Sequence, residues 1–223
     1  MDPFWSLLTF LGSAFCHQIP DRSYALGDLQ MPLCARCIGI QFGFLLSSIF
    51  LWTGARRFAS GMPEKRVLIV LLALFLAGAL EAVLSYSGLS ESDNLRRTVS
   101  GVLIGTPTPF VVIPLLNKIL FAGRNDRALF KNPLDWAWLG IIFMIGGAAI
   151  LLATYNIALF YAVSILGIVG IFVFSLTMIT LLVTILTDGR EMTRRRRIMI
   201  SIVLTVAFIL LLATVHNVFF PQV

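Results

Sequence analysis

Charge is what this sequence has least of: Lys, Arg, Asp and Glu make up 13% of its residues, against 58% that are hydrophobic. Soluble domains carry about twice that share of charge, which excludes an ordinary water-exposed fold. No hydrophilic stretch is long enough for a second domain, so 1–223 reads as one membrane domain. The opening run MDPFWSLLTFLGSAF has no Lys or Arg ahead of its apolar part and no cleavage site before Cys16, and it does not read as a signal peptide. Its apolar core also falls short of the roughly 20 residues a spanning helix needs. An interfacial or re-entrant helix is expected there, with Phe4 and Trp5 at headgroup depth. A sustained internal repeat is missing as well, which argues against an inverted-repeat transporter.

What is present is a series of apolar segments of spanning length, at about 37–54, 67–88, 98–121, 135–155, 158–187 and 198–219. In lipid every backbone polar group must be satisfied internally, so each is read as a helix. The expected fold is an all-α polytopic bundle of about six transmembrane helices plus the short amino-terminal helix. Basic residues collect in alternate connections: Arg56, Arg57, Lys65 and Arg66, then Arg124, Arg127 and Lys131, then Arg190 and Arg194 to Arg197. Basic connections stay cytoplasmic, so both termini and residues 1–36 are expected outside the cell membrane. The net charge of +6 is explained by topology and anionic lipid headgroups, and no nucleic-acid partner is implied.

All three cysteines lie in FCHQIPDRSYALGDLQMPLCARCIGIQ, beside one of the two histidines. Pro32 suits the first turn of a helix, so MPLCARC is expected to open the first span with Cys34 and Cys37 on one face. A helix start lowers thiol pKa and favours thiolates for coordination or redox attack. The intervening loop holds Pro20, Asp21, Gly27 and Asp28, which is turn chemistry. Folded back, it brings Cys16 and His17 to Cys34 and Cys37, a three-sulfur, one-nitrogen set that suits zinc or another soft-to-borderline metal. Adjacent ligands at 16 and 17 are geometrically awkward, so His216 or a water is an alternative fourth ligand. The rival reading is a thiol–disulfide oxidoreductase working through the C-x-x-C pair. An odd cysteine count fits a relay less easily than a metal set.

These residues also carry a resemblance. Cys16-His17-Gln18, Pro20, Arg22, Ser23, Pro32, Cys34, Arg36, Cys37 and Gly39 resemble the signature of an uncharacterised bacterial and archaeal membrane-protein family. A second block matches at Asn94, Arg97, Ser100, Gly101 and Gly105, so the resemblance covers roughly 13–105. It implies the plasma membrane of a prokaryotic cell and carries no activity. Where the family commonly has Thr-Gly-Ile-Tyr after its C-x-R-C, this chain has Ile38-Gly39-Ile40-Gln41. Where the family has Asp-Gly in the second span, this chain has Glu81-Ala82.

Glu81 is ionisable inside a span, which is costly without a partner. Arg97, Arg36 and Arg22 are the expected partners, and Glu81 is the candidate acid or base. Asn94, Arg97, Gly101, Gly105 and Thr108 fall on one helical stripe. TPTPF, from Thr106, removes two backbone donors and must interrupt the third span. Arg22, Arg36, Asn94 and Arg97 are the candidate binders of an anionic or lipid-linked substrate. The sequence thus points to a membrane protein with a metal site over a polar outer-leaflet pocket, an enzyme in one version, with an oxidoreductase or a transporter as alternatives.

Overall fold

The computed structural model describes residues 2–53, 58–121, 129–130, 133–187 and 192–219. Arg56, Arg57, Arg124, Arg127, Lys131 and Arg190 of the charge pattern lie outside the described residues. The chain opens with α1 (Pro3–Gly12), passes through a single 3-10 turn (Pro20–Arg22), and makes a hairpin of β1 (Ser23–Leu26) and β2 (Leu29–Cys34). Then follow α2 (Ala35–Trp52), α3 (Lys65–Tyr86), α4 (Asn94–Gly105), α5 (Thr108–Leu120), α6 (Pro133–Ala153), α7 (Ile157–Leu186) and α8 (Arg194–Phe219). Among the described residues, six helical segments are long and apolar enough to cross a membrane, α4 and α5 counting as one over Asn94–Leu120. The all-α polytopic bundle expected from the sequence is the architecture found.

Three expectations need correction. The stretch between Cys16 and Cys34 contains an antiparallel hairpin, with Ala25 opposite Gln30 and Leu26 opposite Leu29. Gly27, at φ 59°, takes the first position of its two-residue turn, where a side chain would be strained. Pro32 lies in β2, not in a helix; α2 begins at Ala35 with Cys34 as its N-cap. Trp5 is not an interfacial anchor. It is 1% exposed, its Nε1 donates to the Gln30 carbonyl at 3.1 Å, and its ring stacks on Phe160 and meets Tyr161 edge-on. Of the two expected anchors only Phe4 stays exposed, and Trp5 ties α1 down onto the hairpin and α7.

The bundle is built around α2, which packs between α4 and α7. Gly101 and Gly105 face the backbone of Arg36 and Ile40, and a Cβ on Gly39 would come within 2.5 Å of the Thr98 carbonyl. Such approach of two backbones is how helices associate where lipid is as apolar as leucine. On the other side Gly167 meets Ile38, Gly170 meets Gln41, and the Phe44 and Phe174 rings lie 5.1 Å apart. Partners advance together along all three helices, so α2, α4 and α7 run parallel. The third span breaks where the proline pair removes two donors: α4 ends at Gly105 and α5 starts at Thr108. The Thr108 hydroxyl donates to the Ile104 carbonyl across the break at 2.8 Å.

Candidate metal centre and its polar neighbour

The chain reverses sharply after α1. The Cys16 N–H donates to the Gly12 carbonyl at 3.1 Å, and Gln18 takes the left-handed region at φ 52°. That conformation is uncommon outside glycine, and here it is held by bonds. The buried Gln18 amide donates to the Thr9 and Pro32 carbonyls, while its own carbonyl accepts from Gln30 Nε2 at 2.7 Å. This pins the Cys16 turn against β2. Cys16 Sγ then accepts from two backbone N–H groups, Cys34 at 3.1 Å and Gln18 at 3.4 Å. Cys37, in the first turn of α2, donates to the Phe15 carbonyl at 3.9 Å. The three sulfurs lie within 4.8 Å of one another, and no disulfide joins them.

In a trio this tight the thiols hydrogen-bond one another. Hydrogen bonds from the Cys16 and Cys37 thiols hold Cys34 well below the ordinary thiol range, helped by backbone N–H groups of Cys37 and Arg36 at the helix start. Cys16, which gives its hydrogen bond to Cys34 and is buried, is pushed up. Three sulfur donors, a ready thiolate and converging positions are a donor set for a thiophilic metal ion.

His17 lies outside this close group of ligand atoms. Its exposed ring turns to His216 on α8, with centroids 5.8 Å apart and planes at 78°. Among the described residues the close sulfur group is Cys16, Cys34 and Cys37 alone.

Arg36 sits between the two cysteines of the pair but sends its guanidinium toward α3 and α4. Its Nη2 meets Glu81 Oε2 at 2.8 Å, and its Nε donates to Ser100 Oγ at 3.2 Å. Glu81 Oε1 accepts from Ser92 at 2.5 Å. Glu81 therefore has the arginine partner that its cost inside a span demands. The face of Tyr86 carries two guanidinium groups, those of Arg22 and Arg36, each 5.2 Å from the ring centre. Arg97 Nη1 reaches Asn94 Oδ1 at 3.3 Å and the Asp21 carbonyl at 3.5 Å, while its buried Nε has no hydrogen-bond partner. Asn94 in turn donates to the Ser23 carbonyl, and Tyr24 bonds both Thr98 Oγ1 and the Asn94 carbonyl. Arg22, Arg36, Glu81, Asn94 and Arg97 thus belong to one polar edge, beside the hairpin that carries Cys34.

Sequence reasoning missed Tyr86 and Ser92, and it left Tyr24 unassigned. Tyrosines are scarce here, and one at the carboxyl end of a span next to several arginines was the available signal.

A bundle of this kind, with a thiol trio at one edge, defines a membrane protein carrying a candidate metal site. Residues 16–111 match the family described as "Predicted membrane protein (DUF2085)". An uncharacterised protein of the archaeon Methanocaldococcus jannaschii, MJ1492, is 29% identical over 122 residues, covering 53% of this chain and 76% of the relative. The resemblance to an uncharacterised membrane-protein family is thereby supported over the stretch that holds the trio and the polar edge. No solved structure matches the chain.

Proposed function

We propose that this is a metal-binding integral membrane protein of the prokaryotic plasma membrane, holding zinc or a similarly thiophilic ion in Cys16, Cys34 and Cys37. Both termini lie outside the cell in this reading. The observation that carries it is the convergence of three sulfurs from two separate segments within 4.8 Å. Chance burial of small side chains does not require a buried glutamine and a left-handed turn to bring them together. Three protein ligands leave a position open, the pattern of catalytic rather than closed structural sites.

In the enzymatic form of this reading, a bound ion supplies Lewis acidity toward a substrate oxygen or water. The chain's own groups select the substrate. Arg97 has donor capacity to spare, and Arg22 and Arg36 add two positive charges around Tyr86. They suit the phosphate or carboxylate of an anionic lipid-linked substrate. Glu81 is the acid or base of this form. Arg36 would release it by turning to the anion.

Elemental analysis of purified protein tests the metal. About one ion per chain is expected, lost in Cys34→Ser and in Cys37→Ser. Protein without metal, with Cys34 and Cys37 joined as a disulfide, would sink the reading and leave the redox alternative. That second reading draws support from the lowered pKa of Cys34. Its thiolate would attack a partner's disulfide, one partner sulfur leaving as thiolate. Cys37 would resolve the mixed disulfide, leaving Cys34 and Cys37 oxidised and the partner reduced. A mixed disulfide trapped with Cys37→Ser would establish it.

A further inference from the structure

His17 and His216 are the only histidines in the chain and lie 199 positions apart, yet the fold sets them ring to ring at 5.8 Å. The contact sits at a deliberate junction. Asn217 Nδ2 donates to Ser13 Oγ at 2.8 Å, and Phe208 meets Phe15 edge-on at 6.1 Å. The last turns of α8 are thus fastened along the segment that carries Cys16. Imidazole nitrogens bind borderline divalent ions at about 2.0–2.1 Å. Two rings sharing one ion then have centroids roughly 5–6 Å apart by that bond length, which is the spacing found. His17 is exposed and His216 half-buried, so such an ion would be reachable from water, whereas Cys16 is buried at 3%.

From this we infer that His17 and His216 form a second, nitrogen-donor metal site, distinct from the sulfur trio and one residue away from it along the chain. The proposal rests on the reading of the trio as a metal centre. It adds that neither histidine is the trio's fourth ligand and that the pair loads the trio. Two imidazoles give a weaker and faster-exchanging site than three thiolates for a thiophilic ion. An ion captured at the exposed pair therefore moves downhill into the sulfurs.

Titration of the full-length, reduced protein in detergent with Co2+ tests this, because thiolate ligands give a charge-transfer band that imidazoles do not. The wild-type chain should take up about two Co2+, and His216→Ala or His17→Ala about one. The thiolate band should reach the same final height in these variants but grow several-fold more slowly. Cys34→Ser combined with Cys37→Ser should abolish the band and keep one nitrogen-bound ion. His216→Gln, which preserves size and polarity, guards against a packing effect and should behave as His216→Ala does. A single sulfur-bound ion whose uptake ignores both histidines would overturn the inference and leave the trio's reading intact. Loss of all binding in the cysteine double variant would make the histidines part of the trio and also overturn it. No cobalt uptake by any form would contradict both readings together.

Discussion

Cys34 ends a strand and caps a helix, and that double placement sets its chemistry. Its pKa is lowered mainly by hydrogen bonds from the other two thiols, whereas Cys16 is raised by giving its hydrogen bond to Cys34 and by burial. The thiolate is the reactive form. In metal-free, reduced protein, iodoacetamide near pH 6 should therefore modify Cys34 in preference to Cys16, as peptide mass spectrometry would report. A lowered Cys34 contributes stability that is full above the unfolded thiol pKa and is lost as pH falls through its folded value. Faster modification of Cys16 would contradict this ordering of the two thiols. Much at this scale was legible in the sequence, because cysteines are rare and clustered. The role of Gln18 was not, because a left-handed backbone held by two carbonyls depends on β2 lying alongside, and only the fold supplies that.

Helix pairs decide how the site is held. Arg36 and Glu81 join the start of α2 to the last turns of α3, with side chains 8% and 17% exposed. Removing one partner of a largely buried pair leaves the other uncompensated. Glu81→Ala should cost about 3 kcal/mol in reversible unfolding. Arg36→Ala should cost a similar amount, and the double variant less than the sum of the two. Additive losses would show that the pair is not coupled. The α2–α4 contact makes a second test. A Cβ at Gly105 would run into the backbone of Ile40, while one at Gly140 meets nothing within 4 Å. Gly105→Ala should lower stability by about 2 kcal/mol or more through overpacking, and Gly140→Ala should leave melting unchanged. The span positions and the break at TPTPF could be read from composition and proline chemistry. The hairpin could not, because Pro32 is as compatible with a helix start as with a strand, and burial of Met31 and Leu33 against the bundle decides it.

The whole molecule joins two ends of one chain over a membrane bundle. Its first, third and fifth spans, which hold α2, α4 and α7, run parallel. With the trio outside, Ser92→Cys in an outer connection should react with a membrane-impermeant thiol reagent on intact cells, and Arg195→Cys should react only after lysis. The reverse pattern would turn the protein over. X-ray absorption at the metal edge of the purified protein tests most directly whether the three sulfurs bind one ion. The reading expects about three sulfur neighbours near 2.3 Å, falling by one in Cys16→Ser. A coordination shell of nitrogen and oxygen alone, unchanged by that substitution, would contradict it.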